Sequence, residues 1–407
     1  MNALRQLSPD LRQYLIVTGN YWAFTLTDGA LRMLVVLYFH NLGYSPLEVA
    51  MLFLFYEFFG VVTNLFGGWL GAHLGLNKTM NIGLFLQVLA LAMLLVPTAL
   101  LSIPWVMAAQ ALSGIAKDLN KMSAKSSIKL LVPENAQGQL YKWIAILTGS
   151  KNALKGIGFF MGGALLSMLA FQGAVLAMAI ALGLIWCLSM LLLKQDLGKA
   201  KNKPKFREIF SKSAPVNWLS AARLFLFASR DVWFVVALPV YLAEQFGWTH
   251  WAVGGFLASW IIAYGLIQSF APKITSRAQH PPGGQQALIW VSLLAGIPAL
   301  IALTQLIPGY ADAALLLGLM LFGAVFAINS SLHSYLIVRY AQADGVSLDI
   351  GFYYMSNALG RLFGTVLSGW VYQVWGLSTC LWVSSLMLLV AVLASFKLPH
   401  QLSRQNG

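Results

Sequence analysis

The stretch SGIAKDLNKMSAKSSIK (Ser113–Lys129) combines charge with an apolar segment, and it decides the class of fold. It continues an apolar run that begins near Pro104. Four residues advance an α-helix by about 400°, so side chains at this interval share one helix face about 6 Å apart. A lysine at the centre of a bilayer costs about 3 kcal/mol on insertion scales, so a row of them predicts a function. The row consists of Lys117, Lys121, Lys125 and Lys129, of which the first three share one helix face.

Two explanations account for the row of lysines. A water-filled cavity that holds a multiply charged anion would keep the ammonium groups hydrated or paired. Alternatively, the stretch ends a helix and its lysines reach the membrane surface, and both explanations stay open for Lys125 and Lys129. Lys117 and Lys121 lie about two to three turns deeper, and for them we favour the cavity.

The composition is that of a polytopic helical membrane protein. Of 407 residues, 59% are hydrophobic and 10% are charged, whereas a soluble domain carries about a quarter charged residues. Segments of about 20 apolar residues alternate with short polar breaks. The net charge of +13 lies largely in loops, which argues against nucleic-acid binding. The N-terminal sequence has no short apolar run before a small-residue cleavage site, so we expect no removable signal peptide.

We predict an all-α integral membrane protein with twelve transmembrane helices. Two six-helix halves, residues 1–193 and 217–407, flank a basic loop at 194–216. With both termini in the cytoplasm, the outer loops contain no lysine or arginine, which is the positive-inside pattern. The basic loop suits the anionic inner leaflet, and a regulatory role for it stays open. The spans are 14–40, 46–73, 79–100, 104–131, 142–168, 174–193, 217–245, 251–272, 286–307, 313–338, 350–373 and 377–397.

The two halves resemble each other in one short motif. SKNALK (150–155) in the fifth span corresponds to MSNALGR (355–361) in the eleventh when the two Asn-Ala-Leu triplets are aligned. Both Asn-Ala-Leu triplets precede glycine-rich helix, where small residues let two backbones approach. The similarity supports duplicated halves with a substrate site near the membrane midplane.

Charged residues are distributed unevenly among the spans. Spans three, six, nine and twelve carry none in their cores, so we expect these four helices to face lipid. In the cores of the other spans, nine cations and four acids leave an excess of five positive charges. The cations are Arg32, Lys117, Lys121, Lys125, Lys151, Lys155, Arg223, Arg230 and Arg361, and the acids are Asp28, Glu57, Asp118 and Asp231.

The excess of cations predicts binding of phosphate-like or carboxylate groups. Arginine offers such groups a planar fork, and lysine acts as a point charge. Spacing places Asp28 beside Arg32 on one helix face. Spacing likewise places Asp118 beside Lys121, whereas Glu57 has no local cation and should pair across helices. The candidate substrate contacts are Arg32, Lys117, Lys121, Lys151, Lys155, Arg230 and Arg361; the candidate coupling or structural acids are Asp28, Glu57, Asp118 and Asp231.

Other residues give less specific signals. Cys187 and Cys380 lie in separate apolar helices, which favours packing over a disulfide or a thiol site. His333 is either a ligand or a packing residue, and the same two roles stay open for five aromatic residues. We find no metal-ligand spacing, phosphate-binding loop or nucleophile–base pair, so we expect no metal, no cofactor and no enzyme activity. The aromatic residues are Tyr21, Trp22, Trp233, Tyr353 and Tyr354.

Several segments resemble a known family. GWLGAHLGLNK (68–78) is similar to the glycine-rich loop signature of the major facilitator superfamily, although Ala72 stands where that signature has the aspartate of its usual gating salt bridge. Four more particular segments resemble the bacterial organoarsenical efflux permeases of that superfamily. These are YWAFTLTDGALRM (21–33), SGIAKDLNKMSAKS (113–126), LTGSKNALKG (147–156) and ARLFLFASRDVWFVVALPVYLA (222–243).

The resemblance implies a major facilitator fold and the export of 1-arseno-3-phosphoglycerate. This unstable compound forms when glyceraldehyde-3-phosphate dehydrogenase uses arsenate in place of phosphate. Its export and hydrolysis would leave arsenate outside the cell and so confer arsenate resistance. The resemblance therefore implies a functional link to that dehydrogenase and a multi-pass location in the bacterial inner membrane. We expect a monomer whose partners are the lipid bilayer and the anionic substrate.

Two other functions stay open. An organophosphate–phosphate exchanger would use the same basic cavity. A membrane enzyme that acts on phospholipid headgroups would need a base and a nucleophile near the membrane surface, whereas the charges of this chain lie at mid-depth.

Overall fold

The structure is a computed structural model that describes residues 9–44, 52–133, 136–193, 197–200, 213–248, 250–275, 282–307 and 309–399. The described chain is helical and contains no strand, as predicted. Its α-helices are α1 (Pro9–Asn41), α2 (Leu54–Leu74), α3 (Leu76–Met93), α4 (Ile103–Leu131), α5 (Gln137–Leu192), α6 (Ala214–Phe234), α7 (Ala237–Gln245), α8 (His250–Thr275), α9 (Gly284–Thr304), α10 (Ala311–Tyr340) and α11 (Val346–Ser395).

Breaks inside α5 and α11 divide each of these helices into two segments. Ala170 interrupts α5 with φ 55° and ψ −179°, and Gly376 interrupts α11 with φ 77° and ψ −178°. A positive φ favours glycine, which has no Cβ to clash with the backbone. When the short interruption between α6 and α7 is bridged, the described helices form the twelve predicted spans.

Eight helical stretches of the described chain are long and apolar enough to cross a membrane, counting α5 and α11 once each. The helices α2 and α4 are outside this group. Their sequences contain glutamate, asparagine, lysine or aspartate, which lower the mean hydropathy. The two helices that are less apolar than the others, α2 and α4, therefore carry much of the polar cluster described below.

The first compact unit comprises residues 1–140, 150–210 and 341–355, as far as they are described. Its central helix is α4, which packs against α1, α2 and α3. A Cβ at Gly29 of α1 would lie 2.7 Å from the carbonyl oxygen of Lys155, so α1 and α5 cross in close contact. The start of α11 also belongs to this unit, where Ser347 Oγ donates a hydrogen bond of 2.7 Å to the carbonyl oxygen of Gly68.

A short part of the basic loop binds the backbone of the first unit. The amide of Leu76 donates to the carbonyl oxygen of Leu197 at 2.7 Å, and the amide of Ala200 donates to Ala72 at 2.9 Å. These bonds satisfy backbone groups at the junction of α2 and α3. The position where the superfamily signature has aspartate is therefore a buried backbone contact. Residues 194–196 and 201–212 lie outside the described residues, so the predicted placement of this loop on the inner leaflet stays a prediction.

The second compact unit comprises residues 141–149, 211–340 and 356–407, as far as they are described. Its central helix is α10, which packs against α6, α8 and α9. Trp233 is fully buried, with its ring centroid 6.2 Å from that of Trp260 and 5.1 Å from that of Phe322. Trp233 is therefore a packing residue. The predicted division of the chain at residues 194–216 stays a prediction.

Close packing of α6 against α11 gives a first testable prediction. A Cβ at Gly360 would clash with the carbonyl oxygen of Leu224, whereas Gly369 on the same helix has no described atom within 4 Å of its Cβ position. Overpacking costs about 1–3 kcal/mol, so we expect Gly360→Ala to lower the melting temperature in detergent by several degrees. Gly369→Ala is the matched control and should leave the melting temperature unchanged or slightly higher. Equal effects of the two substitutions would contradict the close packing.

Apolar rows on the charge-free spans are consistent with faces turned towards lipid. Large apolar side chains recur every three or four residues on these helices, and about half of each side chain is exposed. Cys187 is exposed on one of these helices and Cys380 is buried in the core of the second unit, and both are free thiols. The exposed rows include Phe85 and Leu89; Ile180, Leu184, Leu188 and Leu191; Ile289, Leu293 and Leu300; and Leu386, Leu389 and Leu393.

Candidate functional site

The lysines of α4 lie inside the first unit. Lys117 and Lys121 have side chains that are 15% and 12% exposed, and Lys125 is only 2% exposed. A side chain that reached the membrane surface would be exposed, so the surface explanation is wrong for Lys125. Lys129, one turn further along, is half-buried, and both explanations stay open for it.

Asp118 lies between two lysines and is itself 2% exposed. Lys121 Nζ lies 2.5 Å from Asp118 Oδ1, so the predicted pair is present. Lys117 Nζ lies 3.9 Å from Oδ2, and Oδ2 accepts no hydrogen bond from any described residue. Gly60 of α2 faces the same oxygen, because a Cβ at Gly60 would lie 3.0 Å from Oδ2. Oδ1 is therefore held by a short ion pair with Lys121, whereas Oδ2 borders the space that the missing side chain of Gly60 leaves.

Tyrosine rings from α2 and α11 contact the lysines. Lys117 Nζ lies 3.8 Å from the ring centroid of Tyr56. Lys121 Nζ and Lys125 Nζ lie 4.6 Å and 4.8 Å from the ring centroid of Tyr354, and Lys125 also donates a hydrogen bond to the Tyr354 hydroxyl. A desolvated cation–π contact contributes about 2 kcal/mol. Of the aromatic residues whose role was open, Tyr354 therefore belongs to the cationic cluster.

The helices α1 and α2 add an ion pair and a second acid to the cluster. Arg32 pairs with Glu57 at 3.3 Å, so Glu57 pairs across helices as predicted. Asp28 is 6% exposed and accepts hydrogen bonds of 2.7 Å and 3.0 Å from the Tyr56 hydroxyl. The expected pairing of Asp28 with Arg32 is therefore wrong. A local pair on a helix contributes only about 0.2–0.5 kcal/mol, and Arg32 instead lies against Glu57 and the Phe53 ring.

The remaining candidate contacts of the first unit lie on α5. Lys151 and Lys155 are half-buried and one turn apart. The backbone of Lys155 lies against Gly29, so these lysines are on the segment of α5 that crosses α1. In this unit, six intramembrane cations and three acids leave an excess of three positive charges.

One buried acid of the second unit binds two arginines. Asp231 is fully buried, with Oδ1 2.5 Å from Arg230 and Oδ2 3.3 Å from Nε of Arg361. The side chain of Arg230 is 15% exposed and that of Arg361 is 35% exposed. Asp231 therefore orients both arginines that the sequence proposed as substrate contacts. Three intramembrane cations and one acid leave this unit with an excess of two positive charges.

Arg223 and His333 form a polar region of the second unit that the list of candidate contacts omitted. Arg223 is 3% exposed and donates to Asn357 Oδ1 at 2.8 Å and to Ser330 Oγ at 3.2 Å. His333 is fully buried, and neither ring nitrogen has a hydrogen-bond partner among the described residues. Asn357 is the asparagine of the Asn-Ala-Leu triplet, so the internal repeat was the signal that pointed to this region.

The geometry suits electrostatic binding of anions. The described residues contain no cluster of three His, Cys, Asp or Glu side chains that could hold a metal. Cationic groups with limited exposure bind oxyanions more strongly than exposed ones, because water screens them less. Each unit carries its own set of such groups: among the described intramembrane cations, lysines predominate in the first unit and arginines in the second.

Comparisons with known proteins agree with a transporter fold. The family model described as Major Facilitator Superfamily matches residues 17–345. The E. coli fucose:proton symporter FucP is 12% identical, with a TM-score of 0.74 over 96% of this chain and 99% of that chain. The human organic anion transporter MFSD10 (TETRAN) is 18% identical, with a TM-score of 0.74 over 96% and 100%.

A bacterial homologue of the iron transporter ferroportin, in an outward-facing state, is 13% identical, with a TM-score of 0.71 over 94% of this chain and 98% of that chain. At these identities the similarity shows the fold alone. The comparison with curated protein sequences found no significant match.

Proposed function

We propose that this chain, which belongs to the major facilitator superfamily, exports a small organic anion with several negative charges. Membership of the superfamily makes it a multi-pass membrane transporter rather than an enzyme.

The lysine cluster of α4 is the observation that carries the proposal. Lys117 and Lys121 share a single carboxylate, and both side chains stay partly accessible. The intramembrane cations outnumber the intramembrane acids, and net charge within a membrane is unfavourable, so this excess of positive charge favours an anionic ligand. A ligand with several negative charges would match this excess better than a monovalent anion would.

The candidate substrate is 1-arseno-3-phosphoglycerate. It carries a phosphate group and an arsenate group, and both are oxyanions that lysine and arginine bind well. The sequence segments that resemble organoarsenical efflux permeases support this choice, and two of them contain the α4 lysines and the Arg230–Asp231 pair. The proposed contacts are Arg32, Lys117, Lys121, Lys151, Lys155, Arg230 and Arg361.

The proposed setting follows from the substrate. The transporter would lie in the bacterial inner membrane with both termini in the cytoplasm, in agreement with the distribution of basic residues among the loops. It would act as a monomer and remove the product that glyceraldehyde-3-phosphate dehydrogenase makes from arsenate.

Uptake into inside-out vesicles tests the proposal directly. Freshly made 1-arseno-3-phosphoglycerate should accumulate in vesicles that contain the protein, and vesicles without it provide the control. An organophosphate–phosphate exchanger would instead take up phosphate esters when preloaded with phosphate, with no arsenate present. Exchange of phosphate esters without any uptake of the arsenate ester would overturn the proposed substrate.

The cysteines are expected to be dispensable. A pentavalent arsenate ester is an oxyanion that cations bind, whereas thiolates bind soft metals and trivalent arsenic. The variant with both Cys187→Ala and Cys380→Ala should therefore confer as much arsenate resistance as the wild-type protein in cells that contain the dehydrogenase. Loss of resistance in a well-expressed double variant would indicate a thiol-dependent substrate.

A further inference from the structure

We propose that the Asp118 carboxylate is the counter-ion of Lys117 and Lys121 in the empty transporter. A phosphate or arsenate group of the substrate displaces this carboxylate from the two lysines. The inference rests on the proposed function, because it assigns a role to an acid within the same anion site. It implies that the carboxylate competes with the substrate for the lysines.

The two carboxylate oxygens of Asp118 are bound unequally, which favours replacement of the carboxylate by an oxyanion of the substrate. Oδ1 is bound to Lys121 at 2.5 Å, but Oδ2 lies 3.9 Å from Lys117 and has no described hydrogen-bond partner. A buried carboxylate oxygen without a partner is unfavourable by about 1–3 kcal/mol or more. The carboxylate therefore holds the lysines without satisfying its own hydrogen-bonding capacity.

Space adjoins this oxygen, and a tyrosine hydroxyl without a described hydrogen-bond partner belongs to the same cluster. Gly60 presents no side chain to Asp118 Oδ2, and its Cβ position lies 3.9 Å from Lys117 Nζ. Tyr21 is 1% exposed, its hydroxyl has no described partner, and it lies close enough to Asp118 and Tyr354 for electrostatic interaction. An oxyanion that replaces Oδ2 beside Lys117 would therefore enter on the side where Gly60 carries no side chain.

A tethered competitor has a clear physical advantage for a transporter. Two adjacent cations buried in the empty site would be unfavourable, and an internal carboxylate offsets that charge. The same carboxylate weakens the net affinity for the substrate, because substrate binding must break the Lys121–Asp118 pair. Weaker binding speeds release of the substrate on the far side of the membrane. The rate of transport therefore increases although the equilibrium affinity for the substrate decreases.

Asp118→Asn provides the main test. Purified protein in detergent is titrated with 3-phosphoglycerate, a stable phosphate ester, and binding is measured by calorimetry. The dissociation constant for Asp118→Asn should be at least about 10-fold lower than for the wild-type protein, because the competitor is gone. Glycerate, which carries a carboxylate but no phosphate, should gain less. An unchanged or weaker affinity for 3-phosphoglycerate in a folded Asp118→Asn variant would overturn the proposal.

A pair of glycine substitutions keeps the proposal testable if Asp118→Asn fails to fold. Gly60→Ala places a methyl group in the space beside Asp118 Oδ2, and it should raise the dissociation constant about 10-fold. Gly67→Ala on the same helix is the matched control, since its Cβ would also lie 3.0 Å from the α4 side, but from Leu119 Cδ2. Equal affinities of the two variants would contradict an exchange space at Gly60.

The binding experiment and the transport experiment can fail separately. If inside-out vesicles do not take up the arsenate ester but the Gly60 and Asp118 variants change phosphate-ester binding as expected, the substrate assignment is wrong and the role of Asp118 as counter-ion is supported. If uptake occurs but these variants bind as the wild-type protein does, Asp118 is a structural partner of Lys121 only.

Discussion

Lys117→Met is expected to lower export of the arsenate ester by about 100-fold while the protein still folds and inserts. Lys117 lies 3.9 Å from Asp118 and against the Tyr56 ring, so its removal leaves the short Lys121–Asp118 bond intact. A charged contact to the substrate would be lost, which corresponds to about 3 kcal/mol. Initial rates of uptake into inside-out vesicles, normalised to the amount of inserted protein, measure the effect.

Lys129→Met is the matched control for this prediction. It makes the same change on the same helix, three turns from Lys117 and at a half-buried position, and should retain most of the export activity. Lys121→Met should abolish export too, but it also removes the short ion pair of a buried acid and should lower the folded yield. Adding Asp118→Asn to Lys121→Met should restore the yield and not the transport. Wild-type rates for both Lys117→Met and Lys121→Met would exclude a role of these two lysines in substrate binding.

The membrane potential alone is expected to drive much of the export. One elementary charge that crosses 100 mV contributes about 2.3 kcal/mol, and the cell interior is negative. If about three negative charges leave uncompensated, the potential contributes about 7 kcal/mol, which corresponds to a gradient near five powers of ten. In inside-out vesicles, an inward potassium gradient with valinomycin makes the lumen positive and should accelerate uptake of the ester.

The control for the second prediction is a pH gradient without a potential, which should have little effect. The acids proposed as alternative proton carriers are already engaged, Asp231 by two arginines and Asp28 by the Tyr56 hydroxyl. Proton exchange would have to break these contacts in each cycle. Uptake that follows the pH gradient and ignores the potential would contradict this prediction and make Asp28 or Asp231 the proton carrier.

The sequence predicted the helices well because hydrophobicity and length are local properties. All twelve predicted spans have a counterpart among the described helices, and the junctions near residues 170 and 376 coincide with the breaks in α5 and α11. The interruption between α6 and α7 was missed, because LPVYLA in this region is as apolar as the rest of the span.

The sequence could not predict the partners of the charged residues, because these depend on packing between helices. Four-residue spacing placed Asp28 beside Arg32, yet tertiary contacts pair Arg32 with Glu57. Nothing local indicated that Lys125 contacts Tyr354, which is 229 positions further along the chain. Local spacing succeeded for Asp118 and Lys121, where both partners lie on the same helix.

The positive φ at Ala170 also has a consequence for heat resistance. The equivalent break in the other half of the chain has glycine, Gly376, with nearly the same dihedral angles. A non-glycine residue in this region is unfavourable by about 1–3 kcal/mol, so alanine at position 170 is a departure from the residue that the backbone favours. Substitution of Ala170 by glycine is therefore expected to give a more heat-resistant protein, because glycine adopts these dihedral angles without a clash of a Cβ with the backbone.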